Sequence, residues 1–216
     1  TYNTGRFMSL LKKMGMTTLR FSEEHYGASL ILGGAEGTLW DLTGMYASLA
    51  RTLAHYRIYN GRYNPADIHP LTPFPASPTD PLRSVADKRL TDKPLLSAAS
   101  IWFTFEAMSA LNRPEEEADW QQFGSMKQVA WKTGTSYGGR DAWAIGTTPR
   151  YTVGVWVGNA SGEGRPGLTG VGNAAPVLFD LFSLLPGSGW FDMPYDELLP
   201  TAVCHLSGHK ASAICN

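Results

Sequence analysis

Residues 128–146, QVAWKTGTSYGGRDAWAIG, put a lysine and two threonines where a buried strand would continue with apolar side chains. Val129 and Trp131 start a strand, and a plain core strand would go on with Val, Ile or an aromatic. Instead the chain reads Lys132, Thr133, Gly134, Thr135. Strand geometry sends Lys132 and Thr133 to opposite faces, so a site that uses both must run along the strand's edge. Lys132 brings a positive charge, Thr133 and Thr135 bring hydroxyl donors, and the Thr135 N–H can point at a developing oxyanion. Gly134 lacks a side chain and lets another backbone come close. An extended peptide can then lie alongside as an added strand. That set suits a peptide that carries a carboxylate and undergoes acyl transfer. As three letters, K-T-G is a weak signal, and an exposed edge with an incidental lysine fits the spacing as well.

The elements that must hold this stretch follow from periodicity. Ala142 to Thr147 supports a second strand. Residues 151–159 support a third, with Tyr151, Val153, Val155 and Val157 on one face and Thr152, Gly154, Trp156 and Gly158 on the other. SYGGR, residues 136–140, has the glycines of a hairpin turn. Residues 5–15 carry Phe7, Leu10, Leu11 and Met14 at helical spacing and end at Gly15. Thr38 reads as an N-cap with Asp41 three positions on, an acidic variant of the capping box. The helix that follows has Leu39, Leu42, Tyr46, Leu49, Ala50 and Leu53 on one face. Helix resumes over 94–111 and stops before Pro114. A last one runs from about Asn173 to Leu185, with Pro176 near its first turn and Leu178, Phe179, Leu181, Phe182 and Leu185 for packing. Residues 57–92 are rich in proline without a period, which reads as a surface excursion, and residues 115–120 form an acidic, solvated connection. Helices, a three-strand antiparallel meander and a closing helix make the class α+β.

Composition sets the bounds. The 216 residues suit one domain, or one large domain with a small appendage. Hydrophobic residues at 43% and charged residues at 17% argue for a packed core and against disorder. Eighteen basic against nineteen acidic side chains leave no basic stripe for nucleic acid. No apolar run reaches the ~20 residues that cross a bilayer. Asp141 and Trp143 read as pins of the strand and the wall of the sheet, and Arg140 as a turn charge. His25, His55 and His69 lie apart in sequence, with no base–nucleophile pairing. The sequon at Asn159 is idle, and the glycine-rich run 158–173 lacks the G-K-S/T ending of a phosphate cradle. Cys204 and Cys215 enclose His205 and His209. This is either a zinc site or a disulfide of an oxidising compartment; the spacing matches no strong zinc template, which favours the disulfide.

Residues 131–159, WKTGTSYGGRDAWAIGTTPRYTVGVWVGN, resemble the third active-site motif and following strands of penicillin-binding proteins, with their K-T-G-T and later D-x-W and G. Residues 31–50 are similar to the helical stretch before that motif in the bifunctional class A members. The resemblance implies a serine β-lactamase/DD-peptidase-like fold, an antiparallel sheet flanked by helices, incomplete in this chain. Residues 1–200 would be the C-terminal part of the transpeptidase domain, and 201–216 a cysteine-bounded tail leading toward a missing C-terminal region. It implies Lys132 and Thr135 as catalytic, Thr133, Gly134 and Thr135 as substrate-binding, and a Cys204–Cys215 disulfide. It also implies a periplasmic location, with attachment to the inner membrane through a segment outside this chain.

The partners so implied are peptidoglycan stem peptides, β-lactams and the missing N-terminal part of the same domain; no nucleic acid, metal or organic cofactor is called for. The nucleophile motif S-x-x-K and the S-x-N motif are expected upstream. A formal match, Ser9 to Lys12, reads as helix surface, and Ala110 to Asn112 lacks the serine. Rival readings are a non-catalytic peptidoglycan- or partner-binding module that keeps the groove, and a hydrolytic relative of the β-lactamases that needs a water-activating carboxylate. Thiol titration of the unfolded, unreduced protein is expected to find no free cysteine; two reactive thiols, or bound zinc, would refute the disulfide.

Overall fold

The computed structural model describes residues 3–73, 89–111 and 127–211. The acidic connection at 115–120, Asn112 and Cys215 lie outside the described residues. Helix α1, Thr4–Lys13, starts where the Asn3 side chain accepts from the Arg6 amide at 2.9 Å. It ends before Gly15, whose positive φ of 105° suits the chain reversal. Its apolar side packs with Met14, Met16, Leu19, the short helix α2 (Glu23–Tyr26) and the 3-10 turn Gly27–Leu32.

Helix α3, Leu39–Ile58, begins as expected with Thr38 Oγ1 accepting from the Asp41 amide at 3.0 Å. Asp41 does not turn back to complete a capping box. Its carboxylate accepts from the Thr17 amide and hydroxyl, at 2.9 and 2.6 Å, and so ties the N-terminal segment to α3. The buried face also differs from the expected stripe. Ala50 and Leu53 are buried and Leu42 and Leu49 pack on the core as expected, but Leu39 is exposed, and Met45, Tyr56, Ser48 and Thr52 are buried as well. The helix is packed on more than one side, so its polar residues meet protein: Thr52 donates to the Ser48 carbonyl, and Ser48 to the His69 carbonyl. The proline-rich excursion is anchored where it is described. Tyr63 and Thr91 exchange two backbone hydrogen bonds of 2.9 Å, and the turn Pro65–Asp67 sits against α3.

Helix α4, Ala98–Ser109, is shorter than expected because Ser97 caps it and Leu95 and Leu96 leave the helix to pack in the core. The strands β1 (Ala130–Thr135), β2 (Asp141–Thr147) and β3 (Thr152–Gly158) form an antiparallel sheet in the order β1-β2-β3. Val129, Trp131, Ala142, Ala144 and Val155 face the closing helix α5, Ala175–Leu184, and pack with Leu178, Phe179 and Phe182. Leu181, expected to pack, is exposed. A π-helical turn, Gly170–Ala174, precedes α5, and Pro176 occupies its first turn, where a missing N–H costs nothing. The other face of the sheet meets α3 and α4. Ala130 packs with Ile101 and Phe105, and Thr43 and Leu39 fill the space beside Gly154 that a Cβ would occupy.

The segment after α5 is clamped onto the helices. Trp190 Nε1 donates to Glu106, Tyr56 to Asp196 at 2.7 Å, and Tyr63 to Glu197. The Tyr63 oxygen in turn accepts from the Ala98 amide at 2.8 Å, and Glu197 accepts from Ala99 at 2.9 Å, so both groups serve the free amides at the start of α4. Burial and the hydrogen bond to Glu197 hold the Tyr63 phenol well above its usual range. A group raised in the folded state keeps its full contribution below its unfolded value, near 10, and loses it as the pH climbs from there. Tyr63→Phe is therefore expected to cost about 1–3 kcal/mol at neutral pH and to flatten part of the stability loss above about pH 10. Denaturant titrations across pH check both; an unchanged midpoint at neutral pH would show the clamp contributes nothing.

Candidate active site on the edge of the sheet

The phase of the ladder decides what β1 offers. The Ser136 amide donates to the Asp141 carbonyl at 3.0 Å, and at the far end of β2 the Thr148 amide donates to Tyr151 at 2.8 Å. Antiparallel pairs alternate between bonded and non-bonded. With Lys132 opposite Ile145 and Gly134 opposite Trp143, those two residues spend their main-chain groups on β2. Thr133 and Thr135 therefore turn their N–H and C=O groups away from β2. Among the described residues no strand lies beyond β1. The site is an open edge, and two cavities of about 380 and 730 Å³ lie elsewhere, beside Tyr63 and Lys93 and beside Trp102 and Trp190.

Side chains fall on the two faces as strand geometry requires. Lys132 is on the α3/α4 side, exposed, with its ammonium on the Thr133 carbonyl at 2.6 Å. Thr133 and Thr135 are on the α5 side, where Thr135 Oγ1 accepts from the Gly170 amide at 2.9 Å. On the face that a Gly134 Cβ would take, no second backbone comes close among the described residues. A Cβ at Gly134 would meet only Trp143, at an ordinary 3.6 Å. It is Gly170 that needs to be glycine, because a Cβ there would sit 2.6 Å from the Gly134 oxygen and 2.8 Å from the Thr133 Cβ. The residues around Gly170 were legible only as a glycine-rich loop.

The hairpin turn fixes the end of β1. Ser136 Oγ accepts from the Asp141 amide at 2.8 Å, Gly138 and Gly139 take positive φ, and the Arg165 amide reaches the Gly139 carbonyl at 2.9 Å. Asp141 accepts from Trp156 Nε1 at 2.9 Å, which pins β2 to β3. Arg140 is exposed on the turn. Of the histidines, His25 stacks near Phe21, and the His69 ring lies 2.6 Å from the Pro70 carbonyl. His55 has a partner that its sequence context did not reveal: Nδ1 lies 2.8 Å from the buried Asp67 carboxylate.

Ser9 is exposed on α1. A second S-x-x-K string runs from Ser207 to Lys210. It lies in an exposed turn, with Gly208 at φ +68° and Lys210 bridged to Val203, so its serine and lysine do not share a helical face. Cys204, beside it, is engaged in a disulfide. Among the described residues no cluster of His, Cys, Asp or Glu is placed to hold a metal ion.

The comparison with known proteins relates the chain to the penicillin-binding proteins over a partial region. The relative is penicillin-binding protein 1C of Escherichia coli (strain K12), 30% identical over 184 residues, which take in 85% of this chain and 20% of that protein. No family model matches the chain.

The edge geometry has a direct readout. Amide hydrogens of Thr133 and Thr135 are expected to exchange with solvent at least tenfold faster than those of Lys132 and Gly134. Equal protection across the four would mean that the edge is covered.

Proposed function

We propose that this chain is the strand side of a serine DD-transpeptidase site that cross-links peptidoglycan stem peptides and is acylated by β-lactams. The observation that supports it is the outward main-chain groups of Thr133 and Thr135 beside Lys132, on an edge that no other strand pairs among the described residues. In this reading the fold is the DD-peptidase type, and residues 1–200 belong to the transpeptidase domain. Residues 201–216 form a tail closed by Cys204 and Cys215, and the protein works in the periplasm. A serine in an S-x-x-K motif outside this chain supplies the nucleophile, since Ser9 lies on the exposed side of α1 and Ser207 in an exposed turn where its lysine does not share a helical face with it.

A stem peptide lies along β1 as an added strand. The serine oxygen attacks the carbonyl between the last two D-alanines while its proton passes to a base, and the carbonyl oxygen becomes an oxyanion that accepts from the Thr135 N–H. The C–N bond then breaks, and the terminal D-alanine leaves with the proton. Thr133 and Thr135 hydroxyls hold the terminal carboxylate, and Lys132 adds electrostatic attraction. The amine of a neighbouring stem peptide attacks the acyl-enzyme, a new amide forms, and the serine regains its proton. A non-catalytic binding module uses the same edge without the serine, and the placement of Ser9 and Ser207 is the observation in its favour.

Labelling of the full-length protein with a fluorescent penicillin decides between them. Label is expected on a serine outside this chain, and Lys132→Ala should slow it by about 10²–10³ with the melting temperature unchanged. An unaffected rate would make β1 structural, and label on Ser9 or Ser207 would overturn the assignment.

A further inference from the structure

We infer that Gly170 is a positioning residue of this site: its main-chain N–H locks the Thr135 hydroxyl as a donor for the ligand's carboxylate. The inference rests on the transpeptidase reading and adds to it a residue 35 positions from the K-T-G-T run. A threonine hydroxyl carries one hydrogen and two acceptor lone pairs. Left alone it rotates, and it can present either a hydrogen or a lone pair to a ligand. Here one lone pair is taken by the Gly170 amide at 2.9 Å. The hydroxyl hydrogen must then point away from Gly170, and among the described residues no acceptor meets it. Thr135 is exposed, so that hydrogen faces the open site. A hydroxyl that accepts one hydrogen bond is also polarised into a better donor.

The fold enforces this contact. Gly170 opens the helical stretch that leads into α5, so its amide is among the first-turn donors with no partner inside the helix. Thr169 serves the next turn, accepting from Gly172 at 3.1 Å and, through its carbonyl, from Asn173 at 3.0 Å. That leaves Thr135 as the acceptor for Gly170. The approach is close enough that a Cβ on Gly170 would lie 2.7 Å from the Trp143 oxygen as well as 2.6 Å from that of Gly134. Any side chain at 170 must therefore push the turn off the sheet and stretch the bond to Thr135. The two donors of Thr135 then address different oxygens: the N–H, in the plane of the sheet, the oxyanion; the O–H, off its face, the carboxylate.

The readout is the ratio of acylation rates for a β-lactam acid and its methyl ester in the full-length protein. A purely structural role for Gly170 lowers both rates and leaves the ratio alone. Gly170→Ala and Thr135→Val are each expected to cut the acid-to-ester ratio by roughly tenfold or more, the value of one hydrogen bond to a charged group. Thr135→Ser should keep the ratio, and the double variant should fall no further than Thr135→Val. An unchanged ratio in folded Gly170→Ala sinks the inference. If Gly170→Ala does not fold, amide exchange decides: protection of the Gly170 N–H should drop at least tenfold in Thr135→Val and persist in Thr135→Ser, and equal protection in both refutes the lock. Failure of the wild-type protein to react with either β-lactam would instead bring down the transpeptidase reading, an outcome separate from any of these.

Discussion

The burial of Trp131 governs which way the whole of β1 faces. Its ring is 2% exposed and meets Phe179 of α5 edge-on, with centroids 5.0 Å apart. Opposite it in register stands Gly146, where a Cβ would lie 2.7 Å from Phe182 and 3.1 Å from Leu178, so α5 can lie close to the sheet only because no side chain is there. With period two, fixing Trp131 on the α5 side places Thr133 and Thr135 on that side and Lys132 and Gly134 on the other. A slip of one residue would exchange the two sets and bury the lysine. The strand's chemistry is thus set by an apolar contact that takes no part in it. The cost is visible: among the described residues the Trp131 Nε1 is buried without a partner, an expense of about 1–3 kcal/mol that the burial of a large aromatic ring offsets.

The opposite face of the sheet depends on α3, and α3 depends on polar ties at both ends. Asp41 fastens the N-terminal segment through Thr17, while Tyr56 and Tyr63 fasten the segment after α5 through Asp196 and Glu197. Between them Arg51 and His55 hold the Pro65–Asp67 turn, with Arg51 Nε donating to the Asp67 carbonyl at 2.9 Å. Burial lowers the Arg51 affinity for its proton and the nearby Asp67 restores part of it. These contacts are far apart in sequence and join segments that have little regular structure of their own. They keep α3 and α4 in place behind β1, so that the sheet's second face is supported while its edge stays free.

What could be read from the sequence was local. The caps at Thr38 and Pro176, the alternation of β3, the hairpin at Gly138–Gly139 and the opposite facing of Lys132 and Thr133 all follow from neighbours within a turn or two. What escaped was tertiary. Asp41 looked like half of a capping box because nothing local shows that Thr17 lies beside it. His55 looked solitary because Asp67 reaches it through a turn packed on α3. Leu181 fits the helical spacing of a core residue, yet α5 meets the sheet along a narrower stripe. Gly170 reads as one glycine of a loop, since only the fold lays its backbone against those of Gly134 and Trp143. Its position is informative, because the glycine that matters for packing lies outside the motif it supports.

An unpaired edge strand invites pairing with any other chain, and proteins commonly blunt such edges with lysine. On that ground alone Lys132 would be a guard. Its ammonium does cover an edge group, the Thr133 carbonyl at 2.6 Å. The cover is partial, however, because the N–H groups of Thr133 and Thr135 remain turned outward and the lysine cannot accept from either. A strand that adds to β1 finds those donors free and must displace the ammonium from the carbonyl to complete its own pairing. The displaced charge then stands beside the incoming chain without a partner. A neutral peptide would gain the ladder and lose the lysine's hydrogen bond, whereas one carrying a carboxylate would replace it. In the transpeptidase reading the same residue would thus disfavour indiscriminate strand addition and favour an anionic partner.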